Sequence, residues 1–367
     1  MNYKIFAINP GSTSTKIALF DGEIKLFSAN VSHDAKILKG FPTIAQQLPY
    51  REGTISALLK ENSIGLGQVD AFVGRGGGLL GVEGGTYSIN ETLLDHAVTC
   101  ANGVPHPATL GPQLAAKYAA SYGKKAYVVN PPDTDELQDV ARVTGIKGVY
   151  RSVHLHALNL KETAIRHARS MGKKYEECNF IVCHIGGGVS VSAHACGKMI
   201  DGNDIVGGEG PMAPTRCGAV PVVEVLNYLA STGADLGTVK SLAVSSGGFV
   251  SHFGTSDAQE VTARIARGDK AAELIWNAFV YQIEKYIGSM AIALKGRIDG
   301  ILLGGGLVHN ASLVVRITED CGFLAPVTAY PGEFEMEAMA AGVSRVLNGE
   351  ELPKEYTGVP AWTGFAF

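Results

Sequence analysis

Residues 3–8, YKIFAI, form an apolar run broken only by Lys4, and residues 16–20, KIALF, form a second. Between them lies NPGSTST, residues 9–15, without one large apolar side chain, and Asp21-Gly22 follows. An apolar run, a polar loop, a second apolar run and a turn glycine predict a β-hairpin. The pattern recurs in FIVCHIGGGVSVSAHACGKM, residues 180–199. At an offset of 175 residues Gly11 falls on Gly186, Gly22 on Gly197, and Ser12 on Gly187. The shared places in one strand-turn-strand pattern predict an internal duplication. The chain reads as two related halves, each opening on a hairpin whose turn faces a cleft between them.

Further strands are predicted at DAFVGR (70–75), KAYVVN (125–130) and GILLGGG (300–306). Helical spacing predicts helices over 109–122, 135–143, 155–171, 221–231, 257–267, 272–294 and 335–347, the last stopped by Asn348-Gly349. The most apolar of these, around Leu274–Leu294, contains Asn277, Gln282, Glu284 and Lys285. With Ile275, Phe279, Ile283 and Ile287 on one stripe, it reads as a buried helix and not a membrane span. Strands and helices mixed in this way predict an α/β class with mixed sheets. The expected domains are 1–150, 151–334 and a C-terminal helix and tail, 335–367, that returns to the first.

Composition narrows the function. A chain of 367 residues suits about two domains. Its 46% hydrophobic and 18% charged residues describe an ordinary globular protein. A net charge of -4, without runs of like charge, argues against nucleic acid or an anionic membrane as partner. The six cysteines contain no C-x-x-C, which predicts reduced thiols and a cytoplasmic setting in place of disulfides or zinc. Glycine is the unusual component: 46 residues, roughly 12% of the chain against an average of about 7%, clustered after apolar runs.

Those clusters direct attention to anions. Backbone N–H groups near Gly11, with the hydroxyls of Ser12, Thr13, Ser14 and Thr15 and the charge of Lys16, can form an anion-binding concavity. A hydroxyl-rich hairpin with nothing bound is the alternative. The second turn, Gly186-Gly187-Gly188, favours a pair of phosphate loops clamping one nucleotide. No G-x-x-x-x-G-K-[ST] occurs. Gly76, Gly78 and Gly81 match G-x-G-x-x-G, but VEGGTYSI (82–89) follows where a dinucleotide site needs a helix. Arg75 and Arg216, each beside small residues, suit bidentate clamping of an anion, or surface ion pairs. His154 and His156 lack a third ligand of suitable spacing, so metal is discounted there. His106, His156 and His184 remain either hydrogen-bonding or catalytic. Glu333 and Glu335, at a loop-to-helix junction, could meet Mg²⁺ or cap the helix. Without a G-x-S-x-G elbow or H-E-x-x-H, phosphoryl transfer leads.

INPGSTSTKIALF and HIGGGVSVSAHACGKMID resemble the two signatures of the acetate/butyrate kinase family. VGRGGGLLGVEGGTYSIN, GEGPMAPTR, FLAPVTAYPGEFEMEA and YTGVPAWTGF are similar to its butyrate-kinase branch, so the likeness spans nearly the whole chain. The resemblance implies the actin-like ATPase (ribonuclease H-like) fold, with two related domains around a nucleotide cleft. It implies ATP/ADP and Mg²⁺, a short-chain fatty acid and its acyl phosphate, and a homo-oligomer of two or more subunits. By the same resemblance Asn9, Ser12, Ser14 and Lys16 form the first phosphate site. Gly186, Gly187 and Gly188 form the second, beside His184, while Asp257, Gly305, Gly306 and His309 belong with the nucleotide. Arg75, Arg216 and His156 are the implied catalytic residues, and Glu333 or Glu335 the magnesium ligand. Asn130 stands where acetate kinases carry an acid, with Asp133 and Asp135 close by.

A fatty acid, with a pKa of about 4 to 5, arrives ionised and needs no base. Arginines, Mg²⁺ and a donating histidine would ease its approach to a triphosphate. The expected reaction converts ATP and butyrate to ADP and butyryl phosphate by reversible in-line transfer. Acetate, propionate or branched acids are alternative acceptors, and a non-catalytic nucleotide-dependent switch is the rival from another class.

Overall fold

A computed structural model of the chain describes residues 2–366. It divides into two compact units, the first running to Asp135 and resuming at Phe334, the second spanning Glu136–Glu333. The strands of the first unit begin with β1 (Lys4–Pro10), β2 (Ser14–Asp21), β3 (Ile24–Ser32), β4 (Ala71–Gly74), β5 (Thr86–Ser88) and β6 (Lys125–Val129). The second unit holds β7 (Asn179–Ile185), β8 (Val189–Ala195), β9 (Lys198–Gly202), β10 (Gly300–Gly305) and β11 (Val327–Pro331). The last strand, β12 (Lys354–Glu355), rejoins the first sheet.

The two sheets share one topology. In the second unit the order is β11-β10-β7-β8-β9, antiparallel across β7-β8-β9 and parallel across β7-β10-β11. The first repeats it as β6-β4-β1-β2-β3, then adds β5 and β12 outside β6. The 175-residue offset carries the bounds of β1 onto those of β7. It also pairs the turn glycines Gly22 and Gly197, at φ 60° and 85°, where a side chain would be strained.

Continuous apolar runs become central strands. Ile5, Phe6, Ala7 and Ile8 of β1 are all closed to solvent, as expected of a strand covered on both faces. The alternation in VSVSAHA has a different outcome from a half-solvated strand. Val189, Val191 and Ala193 pack with Phe279, Ile283 and Ile287 of helix Lys270–Ala293. Ser190, Ser192 and His194, on the other face, are equally buried. Their polarity is met internally: His194 Nδ1 lies 2.6 Å from Tyr175 Oη, and Nε2 lies 2.8 Å from Ser192 Oγ.

Helices form near the expected positions at Leu110–Tyr122, Ala157–Ser170, Val222–Thr232, Ala258–Ala266, Lys270–Ala293 and Glu335–Leu347. The expected helix over 135–143 shrinks to Asp139–Arg142. Gln138 N–H donates to Ile200 O, and the Glu136 carboxylate accepts from Met199 N–H and Lys161 Nζ, tying this segment to β9 and a neighbouring helix instead. Helices Leu48–Glu61, Glu91–Thr99 and Ala311–Cys321 had no sequence-based prediction. Among the described residues no helix is long and apolar enough to cross a membrane.

One close backbone approach bears on the site. A Cβ on Gly74 would lie 2.1 Å from Gly111 O, and one on Gly111 would lie 2.2 Å from Arg75 O. Helix Leu110–Tyr122 therefore seats directly against the end of β4, and that contact fixes the backbone of Arg75.

Candidate active site

In the first unit the β1–β2 loop closes with Gly11 N–H donating to Ser14 O at 2.7 Å. Ser12 and Thr13 are exposed, and Lys16 faces Asn9 across the hairpin. Thr15 departs from the expectation that all four hydroxyls serve an anion. Its side chain turns inward, 2.8 Å from His33 Nε2 and 3.0 Å from Arg51 Nη1, because the pleat of β2 sends it to the buried face.

Arg51 is fully buried and also donates to Ser14 O at 3.0 Å, so it braces the loop from beneath. Burial pulls it below the usual arginine range. Beside the loop, Asn9 Nδ2 donates to Glu335 Oε2 at 2.6 Å, and Arg75 Nε lies 3.7 Å from Glu335 Oε1. Arg75 Nη1 is closed to solvent without a hydrogen-bond partner among the described residues. Asn9, Arg75 and Glu335 thus meet, although the sequence separates them widely.

The second unit assembles another set. Gly186 N–H donates to Gly188 O, closing the β7–β8 turn, and Thr215 Oγ1 donates to Gly187 O at 2.9 Å. Arg216 approaches this turn with Nη1 foremost: a Cβ on Gly188 would fall 1.3 Å from that atom. Its Nε and Nη1 are sealed from solvent with no hydrogen-bond partner among the described residues. Burial pushes Arg216 below the usual arginine range, and the charge of Asp204 acts the other way.

His156 stacks on His184, with ring centroids 3.9 Å apart and planes 19° from parallel. His184 Nε2 lies 3.8 Å from Glu333 Oε1. His156, His184, Gly186–Gly188, Arg216 and Glu333 are therefore one connected group.

The expected nucleotide residues divide. Gly305, at φ 99°, sits where a Cβ would strike Ile185 O at 2.4 Å, a packing reason independent of any ligand. Gly306 faces open space and is exposed, as is His309, both in the short turn Gly306–His309 after β10. Asp257 caps helix Ala258–Ala266 by accepting from Gln259 N–H at 2.8 Å.

Buried guanidinium N–H groups without partners suit an anionic ligand. For magnesium, which keeps several waters and uses one or two carboxylates, the two glutamates differ. Glu335 is already engaged by Asn9 and Arg75 and is 20% exposed, whereas the Glu333 side chain is 43% exposed. Glu333, beside His184 Nε2, presents the more open carboxylate of the two.

Residues 147–324 match the model of the acetokinase family. Over 356 residues the chain is 42% identical to a probable butyrate kinase of Clostridium botulinum (strain Alaska E43), covering 97% of this chain and 100% of that protein. The chain belongs to the acetokinase family. A second relative is butyrate kinase 2 of Clostridium acetobutylicum, 40% identical over 97% of this chain and 100% of its own.

Among solved structures, Porphyromonas gingivalis acetate kinase superposes with a TM-score of 0.77, covering 94% of this chain and 100% of that one at 20% identity. A propionate kinase from Francisella tularensis gives 0.73, covering 93% and 98% at 18% identity. These likenesses show the fold, the actin-like ATPase architecture already visible in the repeated sheets.

Three residues escaped the reading of this acetokinase-family sequence: Arg51, Ser190 and Thr215. Arg51 lies in helix Leu48–Glu61, whose buried face is only Arg51, Ile55 and Leu59 and so carries little periodic signal, and Ser190 is one serine of an alternating strand. Only Thr215, next to Arg216 in PMAPTRCGAVP, carried a usable signal.

Proposed function

We propose that this protein is a short-chain carboxylate kinase that converts ATP and butyrate to ADP and butyryl phosphate. The observation that carries the reading is Arg216, a guanidinium held against a glycine turn with two sealed N–H donors unpaired. Such a group is poised for an anion that the protein itself does not supply. The choice of butyrate rests on the relatives named as butyrate kinases.

In the proposed reaction a carboxylate oxygen forms a bond to the γ-phosphorus of ATP while the bond to the β–γ bridging oxygen breaks. The bonding electrons leave with ADP. No proton need be abstracted, because the acid arrives ionised. Arg75 and Arg216 would hold the carboxylate and the transferring group, and His156 would donate to its equatorial oxygens. Asn9, Ser12, Ser14 and Lys16, with the turn Gly186–Gly188 and His184, would hold the phosphates. Gly305, Gly306, His309 and Asp257 would border the adenosine. Magnesium, when bound, neutralises charge on the phosphate oxygens, and Glu333, with Glu335 as second choice, would hold it directly or through water.

Acceptor size is tested by kcat/KM for formate through hexanoate, with isobutyrate and isovalerate, at fixed MgATP. Trapping the product with hydroxylamine registers the acyl phosphate. Each buried methylene contributes about 0.8 kcal/mol, roughly fourfold, so kcat/KM should climb on the order of tenfold from acetate to butyrate and then fall. A maximum at acetate would sink the butyrate assignment alone. Slow ATP turnover that no acid stimulates would sink the kinase reading.

We also propose a homo-oligomer built on helix Val222–Thr232. None of its residues is buried, and Val222, Val223 and Leu226 are 73%, 63% and 59% exposed. Apolar surface of this kind favours association. Sedimentation should give at least a dimer, and a monomer at assay concentrations would overturn the assignment.

A further inference from the structure

Ser190 is fully buried on β8, opposite His184 in the β7–β8 register. Its Oγ lies 2.8 Å from His156 Nδ1 and accepts from the His156 backbone N–H at 3.3 Å. Oγ makes no other hydrogen bond among the described residues. A hydroxyl has one proton to donate and two lone pairs with which to accept. The backbone N–H occupies one lone pair in either state of the ring. If Nδ1 carried a proton it would take the second, and the buried Ser190 proton would have no acceptor. Stranding a buried donor costs its desolvation. If Nδ1 is bare, it accepts the Ser190 proton and every group is satisfied.

We infer that Ser190 is a positioning residue that fixes His156 as the neutral tautomer with its proton on Nε2. The stack of His184 at 3.9 Å holds the plane of the same ring. Ser190 and His184 therefore control tautomer and orientation, which for an imidazole are separate variables. The catalytic consequence rests on the carboxylate kinase reading. A ring with Nε2–H offers the transferring phosphoryl group a donor, whereas the other tautomer would turn a lone pair towards phosphate oxygens. The positive charge is left to the arginines.

Two measurements test this, and the first does not depend on activity. In protein labelled with ¹⁵N-histidine, long-range ¹H–¹⁵N correlations identify each ring, with His156→Gln assigning the signal. The Nε2–H pattern is expected for His156 at neutral pH. An Nδ1–H or doubly protonated pattern would overturn the inference.

The second compares Ser190→Ala with Ser190→Thr. Loss of the hydroxyl should lower kcat by about tenfold, the scale set by one hydrogen bond, with KM for ATP and acid within about twofold. Threonine, which keeps the hydroxyl, should recover most of that loss. Unchanged kcat in Ser190→Ala, or a loss that Ser190→Thr shares in full while its His156 signal keeps the Nε2–H pattern, would count against Ser190. If the unaltered enzyme phosphorylates no acid, the functional reading fails while the spectrum still decides the tautomer.

Discussion

Arg216→Ala should lower kcat by about a hundredfold or more, the cost typical of losing a donor to developing charge. The fold should survive. Arg216 Nε and Nη1 make no hydrogen bond among the described residues, so their removal strands no buried partner there. Removing a partly buried cation also relieves desolvation, and the melting temperature should stay level or rise. Loss of activity without loss of stability separates a functional charge from a structural one. Arg216→Lys should recover little, because one ammonium cannot reproduce two donors in a planar fork. Near-normal turnover in Arg216→Ala would remove this residue from the mechanism.

Gly188→Ala should reproduce most of that loss without touching the arginine's identity. A Cβ at Gly188 would fall 1.3 Å from Arg216 Nη1 and 2.5 Å from Cζ. The guanidinium must leave. Its atoms are the three nearest to the added methyl, and the backbone of Gly188 does not lie in the left-handed region, so the turn itself can accept alanine. A kcat loss within about tenfold of that in Arg216→Ala is expected. Two changes acting through one group are not additive. The Gly188→Ala/Arg216→Ala double variant should therefore be no slower than Arg216→Ala alone. Multiplied losses, or a much lower melting temperature, would mean that Gly188 acts through the turn and not through Arg216.

Both predictions depend on a contact that no sequence pattern announces. The glycine turn and PMAPTRCGAVP each stood out, one by clustered glycines and the other by an arginine among small residues. Their direct contact did not. It arises because Thr215 Oγ1 binds Gly187 O, while Gly247 and Gly248 leave the backbone of residues 213–217 room to pass close behind. The pair Asn9 and Glu335 is similar: each was legible as polar chemistry at an element's end, but their 2.6 Å contact joins opposite ends of the chain. Thr15 shows the converse. Its hydroxyl was grouped with those of the opening loop, and only its place on the inward face of β2 reveals that Arg51 and His33 claim it.

The local code of the chain was sufficient for its duplication and most of its expected elements, but not for helices Leu48–Glu61, Glu91–Thr99 and Ala311–Cys321. Period-two and period-3.6 patterns mark strands and helices because each element buries one stripe or one sheet face. Two copies of a hairpin keep their glycines where a turn at positive φ requires them, as at Gly22 and Gly197. Anion-binding chemistry was legible for the same reason: the glycine, hydroxyls and lysine of the opening loop are neighbours in sequence, and Arg75 directly follows β4. What tertiary structure alone decided is which polar groups are already satisfied and which are left over. Thr15, Gly305 and Ser190 are satisfied or packed by the protein itself, whereas Arg216 keeps two N–H groups without partners. The cost of a buried polar group depends on whether a partner lies within about 3 Å, and chain segments far apart in sequence supply that partner only once the sheets are packed.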